Sequence, residues 1–281
     1  MYLIGGSSQD VHGEVKYDTL TYKIDLATGE LNQCADMHDG RTFFGICFIG
    51  HQIFVAGGWL PNDGFEVYNI LGNHWQRLSA DLPAAIGGHA LVAAKKRYIY
   101  AFGGREARLM KCDETLIARY DTYRPKKPWH PIKMVEPLTG IRTQLGVIFM
   151  DQVGDNLEFL IFGGWKDAYD KHLSDETYIF TTSIADPDAS KCVCLPCRMC
   201  AEDRHYNNTA FQMGSSLPLD FMEAHGIAEK DKIDLIEDTK LRRCNLYGVI
   251  GRYAFHVFDR TNLTWITAAD KLGYANLANS F

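Results

Sequence analysis

Short apolar runs that stop at a pair of glycines recur along this chain, and polar turn signals follow them. The clearest copy spans Ile53 to Trp75, IFVAGGWLPNDGFEVYNILGNHW. Ile53-Phe54-Val55-Ala56 is long enough for a short buried strand. Gly57-Gly58 ends it, because residues without Cβ turn sharply or admit a neighbouring backbone. Pro61-Asn62-Asp63-Gly64 reads as a turn and Phe65 to Ile70 as a second strand. Gly72-Asn73 then turns the chain towards Trp75, seven residues after Tyr68.

The pattern repeats. Glycine doublets close apolar runs at Gly5-Gly6, Gly57-Gly58, Gly103-Gly104 and Gly163-Gly164, and Asn245 to Gly251 is a degraded copy. The first glycines are 52, 46 and 60 residues apart. Phe258 to Trp265 keeps the Tyr68-to-Trp75 spacing, and Ile24 to Leu31 keeps it with Leu in place of Trp. Tyr120 to Trp129 is the same element stretched by two residues. Apolar segments also precede the doublets, at Thr42 to Ile49, His89 to Ala94, Gln144 to Met150 and Tyr206 to Met213. Three are led by Arg41, Arg142 or Arg204-His205.

These landmarks together resemble the kelch β-propeller family along nearly the whole chain. The shared features are an Arg-led strand, an apolar strand ending in Gly-Gly, a Tyr-Asp strand and a Trp about seven residues on, and the repeat lengths bracket the ~50-residue kelch period. The resemblance implies an all-β fold, a single kelch-type propeller over residues 1–281 built from about five four-stranded blades. The alternative count is six, with an eroded blade inside residues 183–243. Residues 217–243 are charged and strandless by pattern and read as an insertion in the last blade, where Ile233, Ile236 and Lys240 share one helical face. The first blade lacks its Arg-led strand. Either residues 272–281 (LGYANLANSF) supply it and close the ring, removing two sheet edges, or it lies upstream of Met1.

Composition narrows the setting. The chain has 281 residues, 46% of them hydrophobic, enough for a sizeable core. A net charge of −6 argues against nucleic acid or an anionic membrane as the main partner. No apolar run approaches a membrane span, and the N-terminus lacks the basic and apolar regions of a signal peptide. Eight scattered cysteines without an export signal read as reduced thiols, and the expected location is cytoplasmic.

Few residues invite chemistry. Cys192, Cys194, Cys197 and Cys200, with His205 nearby, have the donors for a tetrahedral zinc site. The repeat phase offers the plainer reading, because Cys192 stands where other repeats place the fourth-strand Trp and packs as a small apolar residue. No metal and no cofactor is therefore expected. His89 reads as a hydrogen-bonded structural histidine, and Asp36, His38 and Asp39 as a solvated turn. No phosphate loop, nucleophile elbow or His-Glu-x-x-His motif occurs.

Two function classes follow. The resemblance implies a non-catalytic scaffold that binds a protein or peptide partner, alone or within a larger assembly, through loops on one propeller face. The repeat phase puts Arg41, Trp59, Arg105, Arg142, Trp165, Arg204 and His205 on that face, a set suited to an acidic segment with apolar anchors. Salt bridges between blades are the structural alternative for the arginines. The other class is a kelch-like enzyme such as a sugar mutarotase, because fold alone does not separate the two.

Overall fold

The structure, a computed structural model, describes residues 1–59, 63–106, 116–133, 143–166, 173–199, 209–212, 246–250 and 255–267. Residues 217–243 and 272–281, the expected insertion and closing strand, lie outside the described residues. Every regular element among the described residues is a β-strand. In the first sheet, β1 (Tyr2–Ile4) pairs with β4 (Thr21–Ile24), and β4 with β5 (Leu31–Gln33). Between them β2 (Ser7–Gln9) and β3 (Val15–Tyr17) form a hairpin of their own. Its turn is held by Asp10, whose carboxylate accepts hydrogen bonds from the backbone N–H groups of His12 and Glu14.

Four four-stranded antiparallel sheets follow, each ordered as its strands occur in the chain. The second sheet contains β6 (Gly45–Ile49), β7 (Gln52–Ala56), β8 (Phe65–Asn69) and β9 (His74–Arg77). The third contains β10 (Ile86–Ala94), β11 (Tyr98–Glu106), β12 (Ile117–Asp121) and β13 (His130–Pro131). The fourth contains β14 (Gly146–Val153), β15 (Asn156–Phe162), β16 (Glu176–Ser183) and β17 (Lys191–Arg198). The fifth contains β18 (Thr209–Gln212), β19 (Leu246–Ile250), β20 (Phe255–Asp259) and β21 (Thr264–Thr267). The first strands stand side by side, β6 against β10, β10 against β14 and β14 against β18. This is the all-β, propeller-like arrangement that the repeats predict.

The seven-residue spacing has a direct physical meaning. It sets Tyr68 opposite Trp75, Phe258 opposite Trp265 and Ile24 opposite Leu31 across the last turn of each sheet. Tyr68 and Trp75 ring centroids are 5.1 Å apart, and those of Phe258 and Trp265 5.2 Å. Each Trp also reaches the preceding sheet. The indole N–H of Trp75 donates to Thr21 Oγ1 and the Ala35 carbonyl, that of Trp129 to the Ala80 carbonyl, and that of Trp265 to Thr177 Oγ1. Cys192 pairs with Phe180 in the register that Trp occupies elsewhere. Cysteine there fits the packed, apolar role expected of it.

Hydrophobic burial lies between sheets rather than within one. Phe54, Phe65, Ile99, Tyr120 and Trp129 join the second sheet to the third, and Tyr100, Phe102, Phe159 and Phe180 join the third to the fourth. Phe162 packs edge-on to Trp265 between the fourth and fifth. Backbone contacts at the glycines complete each seam. Gly58 N–H donates to the Ile86 carbonyl at 2.9 Å, and Gly6 N–H to the Arg41 carbonyl at 2.8 Å. At the starts of the inner strands, Gly88 N–H donates to Phe43 O and Gln144 N–H to Gly88 O. Phe43, Gly88 and Gln144 occupy one repeat position and share positive φ (52°, 71° and 54°). In the third sheet the doublet does not end its strand, because β11 pairs through Gly103 to Glu106.

Gly57 and Gly50 make a matched test of this seam. Both have positive φ, near +60°. A Cβ on Gly57 would stand 2.5 Å from the Ile86 carbonyl oxygen, whereas one on Gly50 would meet nothing within 4 Å. Gly50→Ala should cost about 1 kcal/mol of backbone strain, and Gly57→Ala about 3 kcal/mol or more because the sheets must also separate. Urea denaturation of the two variants measures the difference, and equal losses would refute close backbone approach as the reason for the doublet.

Candidate functional site

The segments on which partner contacts are expected gather at one end of the sheets. Ile86 pairs with Glu106 and Gly45 with Ala56, so the starts of inner strands and the loops after the doublets share that end. Trp59, Arg105 and Trp165 all lie there, as the repeat phase predicts. Trp59 N–H donates to the Thr42 carbonyl at 2.7 Å, and Trp165 N–H to the Thr143 carbonyl at 2.9 Å, so the two tryptophans leave their doublets alike. Phe43 and Trp59 rings are 5.6 Å apart, and the Arg105 guanidinium lies 4.6 Å from the Trp59 ring centroid. Phe43, at 45% exposure, holds an apolar ring in the open at this end. Sequence reasoning overlooked it, although its position beside Arg41 in the repeat was visible.

Arg41 does not face outward. Its side chain is wholly buried and pairs with Glu66, itself wholly buried. Nη2 and Nε donate to Glu66 Oε1 at 2.9 and 3.3 Å, and Nη1 donates to the carbonyls of Gly57 and Gly64 at 2.7 and 2.8 Å. Glu66 also accepts the backbone N–H groups of His38 and Asp39, and His38 Nδ1 lies 2.7 Å from its Oε2. Burial pushes the Glu66 carboxyl up, but the His38 N–H, Arg41 and the His38 ring outweigh it and hold it below the usual carboxylate range. His38 and Asp39 keep the exposed bend expected of them and in addition cap an interior ion pair. Asp39 also meets Arg77 at 2.5 Å. Arg105 is only 8% exposed and covers Trp59, so it too is largely committed to internal contacts. Arg142, Arg204, His205 and Cys200 lie outside the described residues.

A recess of 310 Å³ adjoins this pair, lined by Asp39, Asp63, Phe65, Glu66, Arg77 and Asp81. Burial and the nearby Asp63 carboxylate raise the pKa of Asp81. The described cysteines of the candidate zinc set, Cys192, Cys194 and Cys197, are strung along β17, the outermost strand of its sheet. Among the described residues no group of three His, Cys, Asp or Glu side chains is placed to hold a metal ion. Likewise, no described helix is long and apolar enough to cross a membrane.

The comparisons with known proteins agree with this geometry. Residues 40–80, from the loop before Arg41 to the segment after β9, match the family model described as Kelch motif. Residues 40–80 thus carry a kelch motif. Kelch-like protein 25 of Xenopus tropicalis is 25% identical over 179 residues, covering 60% of this chain and 27% of that protein. The chain thus matches little more than a quarter of that relative's length. Within the matched kelch motif, Arg41, Gly57 and Glu66 form one hydrogen-bonded unit, so Arg41 serves the motif's own architecture.

His89 shows a different departure. It is 5% exposed, and neither ring nitrogen has a hydrogen-bond partner, contrary to the expected bonded histidine. Its repeat equivalents are the apolar Phe44 and Leu145. Glycines make its room, since a Cβ on Gly45, Gly57 or Gly104 would stand within 3 Å of it.

Two predictions follow from these buried groups. Arg41→Ala removes the buried cation that faces the Glu66 carboxylate, which should cost about 3–5 kcal/mol of stability. Thermal melting checks this, and a native-like Tm would show that the pair is dispensable. For His89, burial foremost and then the Arg41 charge lower the pKa from 6.5 to about 4. The folded state keeps the ring neutral while the unfolded chain takes up a proton. Stability contributed by the neutral ring is therefore intact above pH 6.5 and falls as pH drops towards 4, by about 3 kcal/mol. His89→Leu should flatten this part of the stability–pH curve, as read by urea melts at several pH values.

Proposed function

We propose that this chain is a non-catalytic protein-interaction scaffold that binds a protein or peptide partner through the sheet end bearing the glycine doublets. The exposed Phe43 ring packed at a tilt against Trp59 carries this reading. Trp59 is held from beneath by its backbone bond to Thr42 and covered by Arg105, so the pair is ordered before any partner arrives. Rigid aromatic side chains that lose little freedom on binding are the residues that dominate interface energetics. Trp165, positioned in the same way two sheets further on, extends the same end. The kelch repeats and the similarity to Kelch-like protein 25 support a scaffold role. About five blades, closed by residues 272–281, would set these loops around one axis, and we propose that arrangement for the intact ring.

The acidic partner segment suggested by the arginines needs another anchor, because Arg41 and Arg105 are already engaged inside the protein. On this end the aromatic pair remains, and it suits an apolar side chain. Removing it should weaken binding without unfolding the chain. Phe43→Ser with Trp59→Ala is expected to lose the partners captured by the parent from cell extract, by quantitative mass spectrometry, at a Tm within a few degrees of the parent. A folded double variant that captures the same proteins at the same yield would exclude this surface.

A further inference from the structure

The opposite end of the third sheet carries a charge pattern that the scaffold reading does not use. There β10 turns into β11 through Lys95-Lys96-Arg97, and β12 turns towards β13 through Thr122 to Trp129. The two turns bring together Lys95, Lys96, Arg97, Arg124, Lys126 and Lys127, against one carboxylate, Asp121. They are joined physically, since Thr122 donates to the Arg97 carbonyl through both its N–H (3.0 Å) and its Oγ1 (2.7 Å). Arg97 grips Asp121 with two hydrogen bonds, at 2.8 and 2.7 Å, and so neutralises the one acid of these two turns. That bond holds the Asp121 carboxyl below the usual range. Lys95, Lys96, Lys126 and Lys127 are exposed and have no ion-pair partner among the described residues. Tyr123, 71% exposed, projects from the middle, its ring centroid 4.9 Å from the Arg97 guanidinium.

The backbone shows that this basic turn is maintained at a cost. Lys95 and Lys96 have φ of 55° and 54°, and Arg97 N–H returns to the Ala94 carbonyl at 3.1 Å. Two successive positive φ values are those of a type I′ hairpin, whose usual residues are Asn and Gly. The equivalent connections turn instead with a single left-handed glycine, Gly50 in the second sheet and Gly154 in the fourth. Neither of those repeats carries a lysine or arginine there. Two lysines in left-handed backbone work against local stability, as residues retained for another purpose do.

We propose that this basic surface, Lys95, Lys96, Arg124, Lys126 and Lys127 around Tyr123, is a docking site for an acidic peptide segment of a partner protein. Charge complementarity favours an anionic occupant. The surroundings favour a short one. The neighbouring fourth sheet presents exposed Asp155, Asp186 and Asp188 at the same end, and the whole chain carries −6. A membrane surface or a duplex would press its charge against those acids within a Debye length, whereas a peptide covers only the basic turns. The site is separate from the aromatic pair, with the length of β10 between them.

The experiment uses the full chain and a fluorescein-labelled oligo-glutamate peptide of about ten residues, with anisotropy read at low and raised salt. Binding to the parent should be saturable and weaken with salt. Lys95→Asn with Lys96→Gly should raise Tm, because the turn loses its strain, while affinity falls at least about tenfold. Lys126→Ser with Lys127→Ser should lose affinity comparably with Tm unchanged, and Phe43→Ser with Trp59→Ala should bind the peptide like the parent. The proposal is overturned if the parent shows no salt-sensitive binding, if either lysine variant binds like the parent, or if the aromatic variant loses the peptide. Tighter binding to phosphatidylserine vesicles or duplex DNA than to the peptide also overturns it.

Discussion

Close approach between successive sheets is the constraint on which the rest of this structure depends. Each sheet is too thin to bury its own apolar faces, so Phe65, Phe102 and Phe162 find their partners in the next sheet. That contact requires the backbones of neighbouring sheets to meet closely, and the glycines allow it. A side chain on Gly57 would strike the Ile86 carbonyl, and one on Gly5 would stand 2.7 Å from the Arg41 carbonyl. The backbone bonds from Gly88 to Phe43 and from Gln144 to Gly88 then fasten one sheet to the next. Tryptophans fasten the outer edges, each indole N–H finding an oxygen in the preceding sheet. Stability is thus a property of neighbouring pairs, as in other repeat architectures.

Polar groups buried at the same seam divide into two kinds. Arg41 and Glu66 meet with nearly all of their hydrogen-bonding capacity filled, which is the condition under which a buried ion pair is tolerated. His89 lies close by with none of its capacity filled, and the field of Arg41 helps to keep it neutral. The pair stiffens the loop that carries Phe43, so the exposed ring at this end rests on the best-satisfied polar cluster in the second sheet. Interior electrostatics and the proposed contact surface are therefore successive layers of one loop, residues 38–44.

Surface charge is distributed by repeat rather than by face. The third sheet gathers its cations at the hairpin end, next to the acids of the fourth, while the doublet end of the second sheet holds Asp39, Asp63 and Asp81. Net charge alone conceals this. A chain at −6 still presents a local basic surface, because hairpins of successive repeats vary independently while the seams between them do not.

Much of this was legible in the sequence. The doublets located the sheet seams, and the seven-residue spacing fixed which aromatic residues face each other, because a strand pair joined by a turn of set length has one register. Phase also placed Trp59, Arg105 and Trp165 at one end, and Cys192 in the tryptophan register. Exposure was decided only by the tertiary structure. Whether an arginine before an inner strand points to solvent or inwards depends on Glu66, 25 residues later and two strands away. The ring nitrogens of His89 lack partners because glycines from three strands surround it, and the basic surface exists because Thr122 ties together two turns distant in sequence. Periodicity records local geometry, which repeats. Burial, pairing and electric field arise from neighbours that the period does not specify.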